Sequence, residues 1–179
     1  MQELVLIYDK TLSTTGHTKN KFGLRRHFHE QLKRLQKYLI NDGAPPQFNF
    51  LPENRKVVGE FTFLPLVTKA SRRQIDLEIL VLSDCDAACN SSYPTGDIDN
   101  YAKVLLDGLR MAQTQNEIRD HTPGESEDLL YVLMEDDQCV RNINITHHKN
   151  LYPHLDQTPM RGREVFVVIK VKIFDKYTF

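Results

Sequence analysis

GDIDNYAKVLLDGL, residues 96–109, is where the chain changes its hydrophobic period. Placed on a helix at about 100° per residue, Tyr101, Val104, Leu105, Gly108, Leu109 and Ala112 fall on one face. Asp99, Lys103, Asp107 and Arg110 fall on the other, with Leu106 drifting toward the polar side. A stripe of this width needs a partner layer, so the helix is expected to lie on a sheet.

The flanking segments supply that sheet. QIDLEILVLSD, residues 74–84, alternates cleanly and puts Ile75, Leu77, Ile79 and Val81 on one face. VVGEFTFLPLV, residues 57–67, reads as a strand interrupted by Pro65, and TKASRR after it reads as a basic hairpin connection. REVFVVIKVKIF, residues 163–174, is the strongest strand signal in the chain, and ELVLIYDKTL, residues 3–12, begins as another. Residues 131–148 read as strand, acidic turn and strand. A second helix is expected from Leu24, Phe28, Leu32, Leu35 and Leu39, and Asn41-Asp42-Gly43 with Pro45-Pro46 stops it. The polar stretch 114–130, with Pro123-Gly124, reads as a flexible insertion. The expected fold is one α/β (α+β) domain over residues 1–179, a mixed, mostly antiparallel sheet packed by two main helices.

The chain has 179 residues, 40% hydrophobic and 26% charged, with a net charge of −1. That is the profile of an ordinary globular domain. No apolar run approaches the ~18 residues of a membrane span, and MQELVLIYDK lacks the basic start of a secretory signal. The expected location is cytoplasmic. Cys85, Cys89 and Cys139 make no disulfide framework. Cys85 and Cys89 with His147 and His148 have a zinc-like spacing but no second matched pair, and they read as reduced thiols near a loop.

Charge is segregated. Residues 17–37 carry many Lys and Arg with one acid, Glu30, whereas residues 117–137 carry one Arg among many acids. Such a division suits a basic nucleic-acid surface beside an acidic centre, and also suits plain solvated faces. The candidates for phosphate contact are Arg25, Arg26, Lys33, Arg34, Lys69, Arg72 and Arg73. His27, His29, His147 and His148 are further candidates for touching DNA, without a catalytic role.

Two explanations compete for the acids at the helix start. Aspartates there cap the helix and interact with its dipole, worth ~0.3–1 kcal/mol each when exposed. Capping accounts for any one of them. It does not require Asp97, Asp99 and Lys103 together, nor a second cluster at Glu135-Asp136-Asp137. Carboxylates about 4 Å apart repel by on the order of 4 kcal/mol at an effective dielectric near about 20. If the clusters converge, a hard divalent cation is the natural compensation, with Lys103 available to a phosphate oxygen.

The pattern Asp97-x-Asp99-Asn100-x-x-Lys103-x-x-x-Asp107-x-Leu109, followed by Asp136-Asp137-x-x-Val140, resembles the RusA family of Holliday-junction resolvases. The resemblance implies a RusA-like fold and a Mg²⁺-dependent endonuclease, with Mn²⁺ as a substitute. It also implies a homodimer that cuts four-way DNA junctions by paired nicks in recombination and repair. Carried across, Asp97, Asp99 and Asp137 match the catalytic, metal-binding aspartates, and Lys103 matches the motif lysine. Asn100, Asp107 and Asp136 match supporting positions. The stretch between the helix and Asp136-Asp137 is longer than the family's connection. The alternative is a nucleic-acid-binding module of the same fold that does not cleave. An Asp-x-Asp glycosyltransferase is disfavoured by the short chain. A calcium loop is disfavoured because Ala102 stands where its sixth position needs glycine.

Overall fold

The computed structural model describes residues 2–10, 12, 18–41, 50–83, 98–125, 127–149 and 165–175. It is an α+β domain with two main helices, as expected. In chain order the elements are β1 (Gln2–Tyr8), α1 (Thr18–Asn41), β2 (Lys56–Val58), β3 (Phe61–Val67) and β4 (Arg73–Ser83). They continue with α2 (Ile98–Leu109), β5 (Leu130–Met134), β6 (Val140–Lys149) and β7 (Val165–Asp175). No helix among the described residues is long and apolar enough to cross a membrane.

The strands divide between two sheets. One has the order β1-β7-β4-β6, the other β2-β3-β5. β7 runs antiparallel to β1 and β4, and β2 antiparallel to β3, while β4–β6 and β3–β5 are parallel. β3 and β4 therefore sit in different sheets, and the Thr68–Arg73 connection is not a hairpin. Its chemistry explains the redirection. Thr68 and Ser71 form a reciprocal cap, each side chain accepting the other's backbone N–H at 3.1 Å. Arg72 then turns the chain with a left-handed φ of 52°.

β3 also runs straight through Pro65 rather than stopping there. β2 pairs only with Phe61–Phe63, so on that side Pro65 has no ladder bond to lose.

Alternation builds the core. Ile75, Leu77, Ile79 and Val81 are buried with Val165, Val167, Ile169, Val171 and Ile173 against both helices. α2 contributes Tyr101, Val104, Leu105 and Leu109, and α1 contributes Leu24, Phe28 and Leu32. A smaller cluster of Phe22, Phe61, Phe63, Met111, Ile118, Leu130 and Val132 lies on the three-stranded sheet. Ile118 belongs to the stretch expected as a flexible insertion. That stretch is instead fastened: Glu117 pairs with Arg25, Glu127 with Arg26, and the His121 ring stacks on Phe22 at 4.2 Å.

α1 and α2 touch through Gly108. A Cβ there would lie 2.7 Å from the Leu24 Cβ, which neither helix can yield without shifting its backbone. Gly108→Ala gains about 1 kcal/mol of helix propensity and loses more to overpacking, typically about 1–3 kcal/mol. The expected result is a lower urea midpoint; a raised midpoint would show that the helices do not meet there.

Candidate functional site

α2 presents its polar face as the periodicity requires. Asp99, Asn100 and Lys103 are exposed, and Asp99 lies in the first turn. Asp97 lies outside the described residues, as do Cys85 and Cys89. Among the described residues neither Asp99 nor Lys103 is in an ion pair.

Asp107, one turn further on, is not open in this way. Lys21 of α1 contacts it at 2.5 Å and Arg110 at 2.6 Å. Burial pushes its carboxyl up, but these cations outweigh burial and hold it below the usual range. Asp107 ties α1 to the end of α2.

The Asp136–Asp137 pair has its own architecture. Asp136 caps the short turn Asp137–Cys139, accepting the Gln138 N–H at 3.0 Å, and meets Lys69 Nζ at 3.1 Å. The capping bond, then Asp137 and Lys69, hold the Asp136 carboxyl low. Asp137 is exposed, and its bond to Asp136 raises its own carboxyl above the ordinary value. The two carboxylates crowd each other, and the nearby Arg110 charge opposes the rise at Asp137. Glu135 is taken up in structure, accepting the Lys69 N–H at 3.0 Å and lying 3.5 Å from Lys56 Nζ.

The two acid sites stand at opposite ends of α2. The Met111 N–H donates to Met134 O at 3.0 Å, and Gln113 Nε2 to Glu135 O at 2.6 Å, so β5 delivers its acids to the C-terminal end of the helix. From Asp99 to Arg110 the helix rises about 16 Å. The strands agree: β6 starts beside Ile75 and reaches Val81 at His147, whose ring lies 6.1 Å from Tyr101 near the start of α2. The start of α2 and the Asp136-Asp137 turn therefore do not converge within one chain. The long 110–130 connection decides it, by returning the chain at Arg110 rather than at Asp99.

This geometry bears on the implied cation. Two crowded carboxylates are the hard-oxygen donors that Mg²⁺ relieves. Asp99 does not join them, and among the described residues no group of three or more His, Cys, Asp or Glu could hold a metal ion. Asp99 and Asp137 do not fit as ligands of one ion within one chain.

The basic candidates separate into three kinds. Arg25 is buried at 1% exposure; its Nε donates to Arg110 O at 3.0 Å and its Nη2 to Glu117 at 2.6 Å. It is a core residue and not a phosphate contact. Arg26 is clamped by both oxygens of Glu127 at 2.7 Å and by Thr122 O, with its guanidinium 4.8 Å above the Phe22 ring. It too serves the 114–130 stretch. Lys33 is half-buried and Arg34 exposed on α1. Lys69, Arg72 and Arg73 lie toward the Asp136–Asp137 end, Lys69 on Asp136 and Arg73 Nε 3.5 Å from Asp175.

The histidines divide likewise. His27 Nε2 lies 2.8 Å from Ile7 O, and buried His29 accepts the Tyr131 N–H through Nδ1 at 2.9 Å. Burial first, and then Lys33, lower the His29 pKa against the pull of Glu30 and Glu127. The folded chain therefore holds His29 neutral where the unfolded chain takes a proton. Stability from this group is present above about pH 6.5 and is lost as pH falls toward the folded pKa. His29→Asn keeps an acceptor for Tyr131. It is expected to weaken the pH dependence of the urea midpoint between pH 7.5 and 5; an unchanged slope would refute the assignment. His147, half-buried, and His148, exposed, stand at the Asp99 end of the sheet.

The linked set Lys21, Asp107, Arg110, Glu117 and Arg25 was not anticipated from sequence; its one local signal is the Asp107–Arg110 spacing. A groove of about 510 Å³ lined by Gly59, Phe61, Gln115, Ile118, Arg119 and His121 includes none of the candidate residues. No protein-family model, curated protein or solved structure matches the chain.

Proposed function

We propose that this protein is a RusA-like, metal-dependent DNA endonuclease that resolves four-way junctions by paired phosphodiester hydrolysis. The observation that carries the proposal is the exposed Asp99–Lys103 face of α2, held rigidly by the buried stripe on its opposite side. A carboxylate and an ammonium one turn apart, uncommitted to each other or to neighbours among the described residues, are groups kept for something outside the chain. Lys103 offers three N–H donors to a non-bridging phosphate oxygen, where charge develops during hydrolysis. Asp99 supplies a carboxylate beside it. The crowded Asp136–Asp137 pair adds a second acidic feature in the order of the family motif. Lys69, Arg72 and Arg73 offer positive charge toward that end.

A second reading is a nucleic-acid-binding module without cleavage. The separation of Asp99 from Asp137 along α2 favours it.

The test is cleavage of a labelled synthetic four-way junction against a linear duplex of matching sequence, in Mg²⁺ and in EDTA. Paired nicks in the junction alone, dependent on Mg²⁺, are the expected result. Equal cutting of both substrates would remove junction selectivity. Junction binding that survives EDTA, with no cutting in Mg²⁺ or Mn²⁺, would establish the binding module instead.

A further inference from the structure

α1 grips a strand of each sheet through its side chains, and the two grips have opposite hydrogen-bond polarity. On β1 a histidine meets a carbonyl. His27 Nε2 lies 2.8 Å from Ile7 O, and Gln31 Nε2 donates to the same oxygen at 2.6 Å. A carbonyl only accepts, so His27 carries a proton on Nε2. On β5 a histidine meets an N–H. The Tyr131 N–H donates to His29 Nδ1 at 2.9 Å, so Nδ1 is bare and the ring proton sits on Nε2.

The difference decides what one more proton does. An imidazolium donates from both nitrogens. At His27 the Nε2 donor stays in place, and the bond to Ile7 O persists. At His29 the new N–H forms on Nδ1 and meets the Tyr131 N–H. Two donors then face each other, and the bond is lost.

The surroundings of His29 oppose that proton while the grip is closed. The residue is 1% exposed, and burial disfavours its charged ring. The charges that reach it are Glu30 and Lys33 on α1 and Glu127 on the connection into β5, the last clamped on Arg26. β5 faces it with the Tyr131 ring, stacked at 5.7 Å, and Phe50 packs edge-on against that ring at 4.9 Å. Glu30 is exposed, and its Oε1 lies 3.8 Å from His29 Nε2, too far for a hydrogen bond to the neutral ring. It offers the imidazolium a partner on the solvent side once the grip opens. An open grip therefore binds the proton more readily than a closed one, and acid favours opening.

β5 is short, so one bond matters to it. It runs from Leu130 to Met134, paired with β3 on one side. Its first turn of backbone is held by His29 at Tyr131, and its end by the Met111 N–H at Met134 O. We infer that the seam between α1 and β5 is an acid-opened latch triggered by His29, while the seam between α1 and β1 stays shut. Opening frees the start of the strand that leads to Asp136 and Asp137. The release is local, which goes beyond the loss of overall stability expected for this histidine, and it stands independently of any activity.

The experiment is amide hydrogen exchange by NMR between pH 7.5 and 5, with each rate corrected for the intrinsic rate. Tyr131 is compared with Ile7, whose N–H donates to the non-titrating Gln31 Oε1 at 2.9 Å. In wild type, Tyr131 protection is expected to fall by about 3-fold or more as the pH is lowered, while Ile7 protection holds. In His29→Asn, whose amide oxygen accepts from Tyr131 without titrating, Tyr131 protection should stay constant over the same range. Parallel loss at Tyr131 and Ile7 in wild type would show unfolding of the whole domain and overturn the latch. So would a flat Tyr131 profile in wild type, or a fall that persists in His29→Asn.

Discussion

Arg25→Ala is expected to lower the unfolding free energy by about 3–5 kcal/mol, the range for removing one partner of a buried ion pair. The guanidinium is surrounded: its side chain has no exposed surface, and burial, more than any neighbour, lowers its pKa. Its Nε satisfies the carbonyl of Arg110 just past the end of α2, and its Nη2 holds Glu117. Glu117 also receives Arg110, which holds Asp107, which receives Lys21. Truncation therefore opens a cavity, strips a helix-end carbonyl and loosens the tie between α1 and the 114–130 stretch. Arg25→Met fills most of the volume and leaves Glu117 with Arg110, so it should cost distinctly less. Arg25→Lys loses the fork that reaches both acceptors and should fall between them. Urea denaturation with constant m-values measures all three. A full-stability Arg25→Ala with weakened junction binding would return Arg25 to the DNA surface.

The same residue shows where sequence reading stops. The apolar stripe of α1 is legible because its period is local, and Leu24, Phe28 and Leu32 are buried as that period requires. Arg25 lies next to Leu24, off the stripe, and reads as a surface charge. Its burial depends on Glu117, 92 residues away, arriving beside it. Strand faces were legible for the local reason too: Ile75, Leu77, Ile79 and Val81 alternate and all point into the core. The assignment of β3 and β4 to separate sheets was not, because it depends on the Thr68–Ser71 cap and the left-handed Arg72 rather than on hydrophobic pattern. In α2 the pattern separated the buried and polar faces correctly. It carried no information about which end of the helix would receive Asp136 and Asp137. That depends on the non-local contact of Met111 with Met134.

Asp137→Asn should separate stability from function. Its contact with Asp136, then burial and the Asp136 charge, raise the Asp137 carboxyl, so its folded pKa lies above its unfolded value. Stability from this group is present below the unfolded pKa and is lost as pH rises through the folded pKa. Once both carboxylates are ionised they repel. An asparagine at 137 donates permanently to Asp136, which keeps its cap on Gln138 and its pairing with Lys69. The urea midpoint at pH 7 is therefore expected to rise slightly, and its pH dependence near the carboxylate range to flatten. Junction cleavage, under the proposed function, should fall by about 100-fold or more, the scale of losing a group that stabilises transition-state charge. Asp99→Asn should produce a similar loss of cleavage with an almost unchanged midpoint, since Asp99 is exposed and among the described residues carries no ion pair. Binding to the junction in EDTA should survive both changes, because both remove negative charge from a surface that meets phosphate. A chain that gains stability while losing activity at an acid is holding that acid against its own folding preference, as functional groups are held. Retained cleavage in Asp99→Asn would reduce the start of α2 to a solvated helix terminus. A destabilised Asp137→Asn with cleavage intact would make the acid pair a structural turn.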